Sequence, residues 1–231
     1  IVRRQQGRVM IPWAMMTRAD QMDRDMLITM KKAGLTAVKY GVESSSPEVL
    51  AAAHKKQDLA FIERIIMYTK SLEIKVHLTF TFGLPNETRD TIRNTLLYSF
   101  HLNPDSVQFS LATPFPGTPY YDLVKKNGEL ITNDLSQYDG NYHAVVKTAV
   151  LAPHELLRYK NKAYHLWHIF DRAKRYGRWC VYLSKLYIYA TLLGLKGMLK
   201  KVARFIVAKV QFKKRLRDRL RYLGFFHGSQ A

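Results

Sequence analysis

The chain has a single cysteine among 231 residues, Cys180. One thiol excludes a disulfide framework, and it excludes a cysteine cluster for zinc or iron–sulfur within this sequence. It fits a reducing compartment, so the expectation is a cytoplasmic protein. Acidic residues are nearly missing from the last third. Residues 156–231 hold 19 Lys and Arg against Asp171 and Asp218, a net of +17, whereas residues 1–155 hold 18 basic and 16 acidic residues, a net of +2. No apolar run reaches the ~20 residues of a membrane span: residues 179–195 (WCVYLSKLYIYATLLGL) are interrupted by Lys185. A signal-peptide pattern is also missing, and so is an initiator methionine, since the chain opens IVRRQQGRV. The expectation is a piece of a longer protein whose upstream part precedes Ile1.

What is present is an alternation of strands and helices. Residues 9–16 (VMIPWAMM) read as a strand, with Pro12 tolerated at an edge or bulge. Residues 20–33 place Met22, Met26, Leu27 and Met30 at helical spacing, with Asp20 or Asp23 near the start and Gly34 as the stop. Residues 36–42 are β-prone and apolar, as a buried parallel strand is. Ser46 then suits an N-cap, with Pro47 at the first helical position. Residues 59–72 and 88–102 read as helices, and residues 74–82 (IKVHLTFTF) and 106–112 (SVQFSLA) as strands. The alternation predicts a parallel sheet with helical crossovers. Its strand–helix units are too few to close an eight-stranded barrel, so the sheet is open or its first strands precede Ile1. A turn is expected at Tyr138-Asp139-Gly140, an extended piece at 144–150, a helix from Pro153, and helix by composition beyond.

In α/β sheets, ligands meet the carboxyl ends of the strands. Those ends carry Thr17-Arg18, then Glu43 with three serines, Gly83-Leu84-Pro85 with Glu87-Thr88, and Thr113-Pro114-Phe115-Pro116-Gly117. A carboxylate there accepts hydrogen bonds from hydroxyls or an ammonium. The plain alternative is that glycine and proline only end the strands and that Glu43 is a solvated loop charge.

The segments KKAGLTAVKYGVESSSPEVL, FTFGLPNETRDTI and LATPFPGTPYYDLVKKNG, in this order, resemble the second half of the catalytic domain of radical S-adenosylmethionine (radical SAM) enzymes. The similarity is to the cobalamin-binding branch, which includes methyltransferases and anaerobic porphyrin-ring cyclases. It covers residues 9–128, with a weaker echo at 135–157. The resemblance implies an α/β fold, a partial TIM-type (βα)6 barrel of which strands three to six are present, followed by a mainly α-helical basic tail. The expected divisions are the barrel half at 1–128, a connector at 129–155 and the tail at 156–231.

The resemblance further implies S-adenosylmethionine as cofactor. It assigns Glu43, with Ser44 beside it, to the ribose or methionine part, and Lys55 to the methionine carboxylate, although Lys56 is chemically as suitable. Thr79 stands where some relatives have an aspartate for the ribose, a departure that puts this contact in question. Gly83, Leu84 and Pro85, and Ala112, Thr113 and Pro114, correspond to backbone contacts with adenine. Arg18 either binds a substrate or cofactor carboxylate or pairs with Asp20. The family also needs a C-x3-C-x2-C run for a [4Fe–4S] cluster, which this sequence lacks. Cluster and cobalamin are expected from an upstream part, and no metal ligand or catalytic residue is expected in this chain.

Basic helices with aromatics and leucines suit an anionic membrane surface, so peripheral attachment at the inner face of a membrane is expected, near a hydrophobic small-molecule substrate. Packing on the barrel with a charged outer face is the second reading of the tail, and nucleic acid the third. The competing function is a non-catalytic binding module with the same tail.

Overall fold

The computed structural model describes residues 11–222. Four strands form one parallel sheet in the order β1-β2-β3-β4: β1 Trp13–Thr17, β2 Leu35–Glu43, β3 Lys75–Phe82 and β4 Ser106–Leu111. Helices α1 (Arg24–Lys32), α3 (Leu59–Ser71) and α4 (Arg89–Leu102) make the crossovers, with the short α2 (Pro47–Ala52) following β2. After β4 come α5 (Pro119–Lys126), α6 (Pro153–Arg175) and α7 (Arg178–Tyr222), the last kinked at Gly194. The chain divides into two compact units, residues 1–177 and 178–231. Helix α6, which the sequence places with the tail, is therefore part of the first unit.

Each element starts where local chemistry starts it. The Asp23 carboxylate accepts from the Met26 amide at 2.7 Å and caps α1. Ser46 caps α2 with Pro47 at its first position, and Asp58 caps α3 through the Ala60 and Phe61 amides. Thr88 and Thr91 exchange side-chain and backbone hydrogen bonds at the start of α4. Strand β1 begins after Pro12, on an edge of the described sheet, with a register irregularity between Trp13 and Ala14. Val9 and Met10, expected in this strand, lie outside the described residues, as do the side chains of the basic run that begins at Lys213. Helix α5 is an addition to the expected elements.

The strands alternate. Val38, Tyr40, Val42, Val76, Leu78, Phe80, Phe82 and Phe109 are buried on the face covered by helices. Burying each such side chain contributes about 1.5–3 kcal/mol. Tyr40 keeps its hydroxyl satisfied there by donating to Thr69 at 2.9 Å, whose own proton goes to the Ile65 carbonyl. The β4 edge is closed off by residues far along the chain: the Phe109 amide donates to the Tyr164 hydroxyl of α6 at 3.1 Å, and the Leu111 amide to the Gly140 carbonyl at 2.7 Å. Capping an edge in this way removes a template for unwanted pairing. On the other face of the sheet Lys39, Gly41, His77, Thr79, Thr81, Gln108 and Ser110 are half-buried.

Candidate functional site

The site grows from an irregularity at the end of β2. Gly41 pairs with Thr79, but Glu43 pairs with Phe80, so one extra residue, Val42, is inserted into the strand. A bulge re-aims the side chain that follows it. Glu43 also adopts a left-handed backbone, φ 67°. For a residue with a Cβ this conformation costs on the order of 1 kcal/mol, and such strain gathers at functional positions.

The turned carboxylate sits between two partners. Lys55, at the end of the turn that follows α2, donates to Glu43 Oε1 at 2.7 Å, and Thr81 of β3 donates to Oε2 at 2.6 Å. Gly41 makes this possible, because a Cβ there would stand 2.8 Å from Glu43 Oε1. Gln57 completes the cluster by donating its amide to the Gly41 carbonyl at 3.2 Å, while its buried Oε1 has no partner among the described residues. A buried acceptor without a donor is costly unless a ligand or water supplies one. Glu43, Lys55, Thr81 and Gln57 thus present a carboxylate, an ammonium, a hydroxyl and an unsatisfied amide oxygen in one place.

The neighbouring strand ends adjoin each other. The Ala112 amide donates to the Phe82 carbonyl at 2.7 Å, which brings residues 112–114 beside residues 83–85. Gly83 has φ 92°, a conformation that strains a side chain, and a Cβ there would stand 3.1 Å from Leu156 and 3.3 Å from Val146. Its carbonyl accepts from the Tyr120 hydroxyl at 3.0 Å, and its amide donates to Glu87. Glu87 is 1% exposed. Burial pushes its pKa from the usual 4.5 up to about 8, against the opposing pull of the Gly83 and Leu84 amides. Glu87 Oε1 is the second buried side-chain atom without a partner among the described residues.

The expected residues are placed as follows. Glu43 and Lys55 come together, while Lys56 is exposed. Ser44 is buried and turns its hydroxyl to Thr95 of α4, away from the Glu43 carboxylate. Thr79 lies on the half-exposed face opposite Gly41 and Gln108. Leu84, Pro85 and Thr113 are half-buried, and Ala112 and Pro114 buried, at the strand ends. Arg18 makes a two-pronged pair with Asp20 at 2.5 and 3.0 Å, holding the Asp20 carboxyl below its usual range. Thr81 and Gln57 are members that sequence reasoning missed. Thr81 shares the alternation of Thr79, so a signal existed; for Gln57, in a coil, none did.

Residues 1–98 match the family model described as the Radical SAM superfamily. An uncharacterized methyltransferase of Pyrococcus horikoshii is 27% identical over 154 residues, covering 67% of this chain and 33% of that protein. An anaerobic magnesium-protoporphyrin IX monomethyl ester cyclase of Cereibacter sphaeroides is 28% identical over 131 residues, 56% of this chain and 21% of the cyclase. Among solved structures, the radical S-adenosylmethionine methyltransferase TsrM of Kitasatospora setae, with cobalamin and a [4Fe–4S] cluster bound, superposes with a TM-score of 0.51 at 21% identity, over 68% of this chain and 33% of TsrM. The chain thus spans a third or less of the length of these relatives.

Proposed function

We propose, for a chain that belongs to the radical SAM superfamily through residues 1–98, that the carboxyl ends of β2, β3 and β4 bind S-adenosylmethionine. In this reading the sheet is the second half of a partial (βα)6 barrel in a cobalamin-type radical enzyme. Such an enzyme carries out methyl transfer or ring formation on a hydrophobic substrate. The observation that carries the reading is Glu43, strained, re-aimed by a bulge and held between Lys55 and Thr81 at the strand ends.

The residues present fit this cofactor. Its α-ammonium and ribose hydroxyls are donors for Glu43, and Gln57 Oε1 offers an acceptor that no described residue uses. Lys55 is a cation within reach for the methionine carboxylate, sharing Glu43 or exchanging it. Residues 83–85 and 112–114 line the neighbouring strand ends, where adenine would meet backbone. When bound, S-adenosylmethionine carries the group-transfer or radical chemistry, and the protein supplies binding and orientation. A [4Fe–4S] cluster does not fit this chain. Cys180 belongs to the second unit, and the described residues contain no group of three or more His, Cys, Asp or Glu that could hold a metal. Cluster and corrinoid belong, in this reading, to residues other than these 231, and no step is routed through them.

A separate observation supports a membrane surface as partner of the second unit. Trp179, Tyr182, Leu183 and Tyr187 recur at helical spacing on α7, Trp179 being 80% exposed. Lys201 lies 4.8 Å from the Tyr189 ring, within the same unit. No described helix is long and apolar enough to cross a membrane. Aromatics with surrounding positive charge suit the headgroup boundary.

Calorimetric titration with S-adenosylhomocysteine tests the cofactor reading. The wild-type chain should bind one equivalent, and Glu43→Ala should weaken binding by about 1.5–3 kcal/mol, the scale of hydrogen bonds to a charged group. Equal affinity in the two proteins would sink it.

A further inference from the structure

Helix α7 is two helices joined at one residue. Gly194 has φ 71° and ψ 169° inside an otherwise helical stretch, a backbone conformation essentially confined to glycine. The break turns the chain. Tyr189 and Lys201 would stand about 18 Å apart along a continuous helix, too far for their side chains to meet. Here the Lys201 ammonium is 4.8 Å from the centre of the Tyr189 ring. Residues 178–193 and 195–222 thus differ in direction, and they differ in charge as well. The first half holds Arg178 and Lys185, whereas the second holds eleven Lys and Arg against Asp218.

The first half has little polar surface on either side. Ser184, Ile188 and Leu192, four residues apart, are buried on one side. On the other, Trp179, Tyr182, Leu183 and Tyr187 are exposed, Leu183 by 61%, with Leu186 and Leu193 half-buried on the same stripe. Neither Arg178 nor Lys185 falls on that stripe at helical spacing. A helix that is apolar all round is a buried one, and an exposed apolar patch marks an interaction surface. The stripe calls for a cover.

The charge of the same unit selects it. A second copy of the chain would bring two strongly cationic segments together, which their repulsion opposes. A leaflet of anionic lipid offers acyl chains to the stripe and phosphates to the cations. Residues 178–193 are about 24 Å long as a helix, short of the ~30 Å hydrocarbon core, so they lie in the leaflet rather than cross it. Tyr189 is about a quarter turn from the centre of the stripe, which puts Lys201 at its border. There a lysine lays its stem along apolar surface and lifts its ammonium to the phosphates. Lys196, Lys200 and Arg204, also just beyond the break, are exposed with it. We infer that residues 178–193 insert in the plane of one anionic leaflet, the Trp179–Leu183–Tyr187 side against the acyl chains, while the cations just beyond Gly194 stay at the headgroup phosphates. This rests on the reading of a membrane surface as partner of the unit, and adds which half enters the lipid and by which side.

The test mixes the full chain with vesicles of phosphatidylglycerol and phosphatidylcholine, the latter either plain or brominated on its acyl chains. Bromine quenches tryptophan emission only at close contact, so fluorescence reads insertion while co-sedimentation reads binding. The bound wild type should be quenched by the brominated lipid. Trp179→Phe should bind as the wild type does and lose the quenching, which separates Trp179 from Trp13 and the buried Trp167. Leu183→Gln changes no charge, so it isolates the apolar contact: it should bind about tenfold more weakly. Circular dichroism matching the wild type confirms that both variants fold. Bound protein without quenching would overturn the insertion and leave attachment by charge alone. Quenching that survives Trp179→Phe, or wild-type affinity in Leu183→Gln, would overturn it too. Failure to bind either kind of vesicle would remove the membrane reading itself, and the insertion with it.

Discussion

Glu43 and Lys55 stand twelve residues apart in the chain and 2.7 Å apart in space. Helix α2 and its turn exist between them, and their effect is to return a cation to the end of the strand that carries the anion. With side-chain exposures of 36% for Lys55 and 16% for Glu43, the pair is partly wet. Its contribution to stability is therefore of the surface kind, about 0–1 kcal/mol. Its value lies in placement.

Lys55→Met should consequently change the urea midpoint little while weakening S-adenosylhomocysteine binding about tenfold, one charge-assisted hydrogen bond's worth. Lys56→Met, one residue on and exposed, should leave the affinity unchanged. Calorimetry on both variants separates the two lysines, and equal losses would mean that general positive charge, not the pair with Glu43, matters.

Gly41→Ala makes a sharper demand. Its new Cβ meets only the tip of Glu43 at 2.8 Å, a side chain that can move aside. The expected outcome is a melting temperature near that of the wild type with cofactor affinity lowered as much as by Glu43→Ala. A variant that binds normally would show that the carboxylate need not stand where it does.

Glu87 predicts a pH dependence of stability. Its folded pKa is about 8, against the usual 4.5, so between these values the folded state holds a proton that the unfolded state has lost. Stability from this group is fully present below the unfolded pKa and is lost as pH rises through the folded one, by up to about 1.4 kcal/mol per pH unit. Glu87→Gln removes the titration. Urea unfolding from about pH 5 to about pH 8 should show the variant gaining on the wild type as pH rises, and parallel curves would refute a buried neutral Glu87.

For the second unit, co-sedimentation should capture the protein on vesicles of mixed phosphatidylglycerol and phosphatidylcholine, much less on phosphatidylcholine alone. Roughly 1 M salt should release most of it, because the screening length falls to ~3 Å. Trp179→Ala combined with Tyr182→Ala should weaken the binding, since both side chains are exposed on α7. Tight RNA binding without vesicle binding would assign the charge to nucleic acid.

Much of this architecture is written locally. Ser46 with Pro47, Asp23, and Thr88 declare their helices one by one, and the position of Glu43 after an apolar strand marks the carboxyl end at which the proposed site lies. The missed parts depend on distant residues. Thr79 and Thr81 share one face of β3, and the bulge at Val42 decides that Thr81 meets Glu43. Gln57 reaches the site because the coil between α2 and α3 folds back on Gly41. Helix α5 had its start signals in Thr118 and Pro119, but Tyr120 and Tyr121 favour strands and mask them. Averaged composition puts α6 in the basic tail, whereas its Leu156, Ala163, Leu166 and Phe170 are buried, and its Tyr164 closes the β4 edge of the first unit.

The central claim is that S-adenosylmethionine binds at the carboxyl ends of β2, β3 and β4. Hydrogen–deuterium exchange with and without S-adenosylhomocysteine tests it most directly, because it locates the ligand without requiring turnover. The account predicts slowed exchange in peptides containing residues 41–45, 55–57, 83–85 and 112–114, and no such slowing in Glu43→Ala at the same ligand concentration. Protection confined to other segments, or none at a concentration where calorimetry shows saturation, would contradict it.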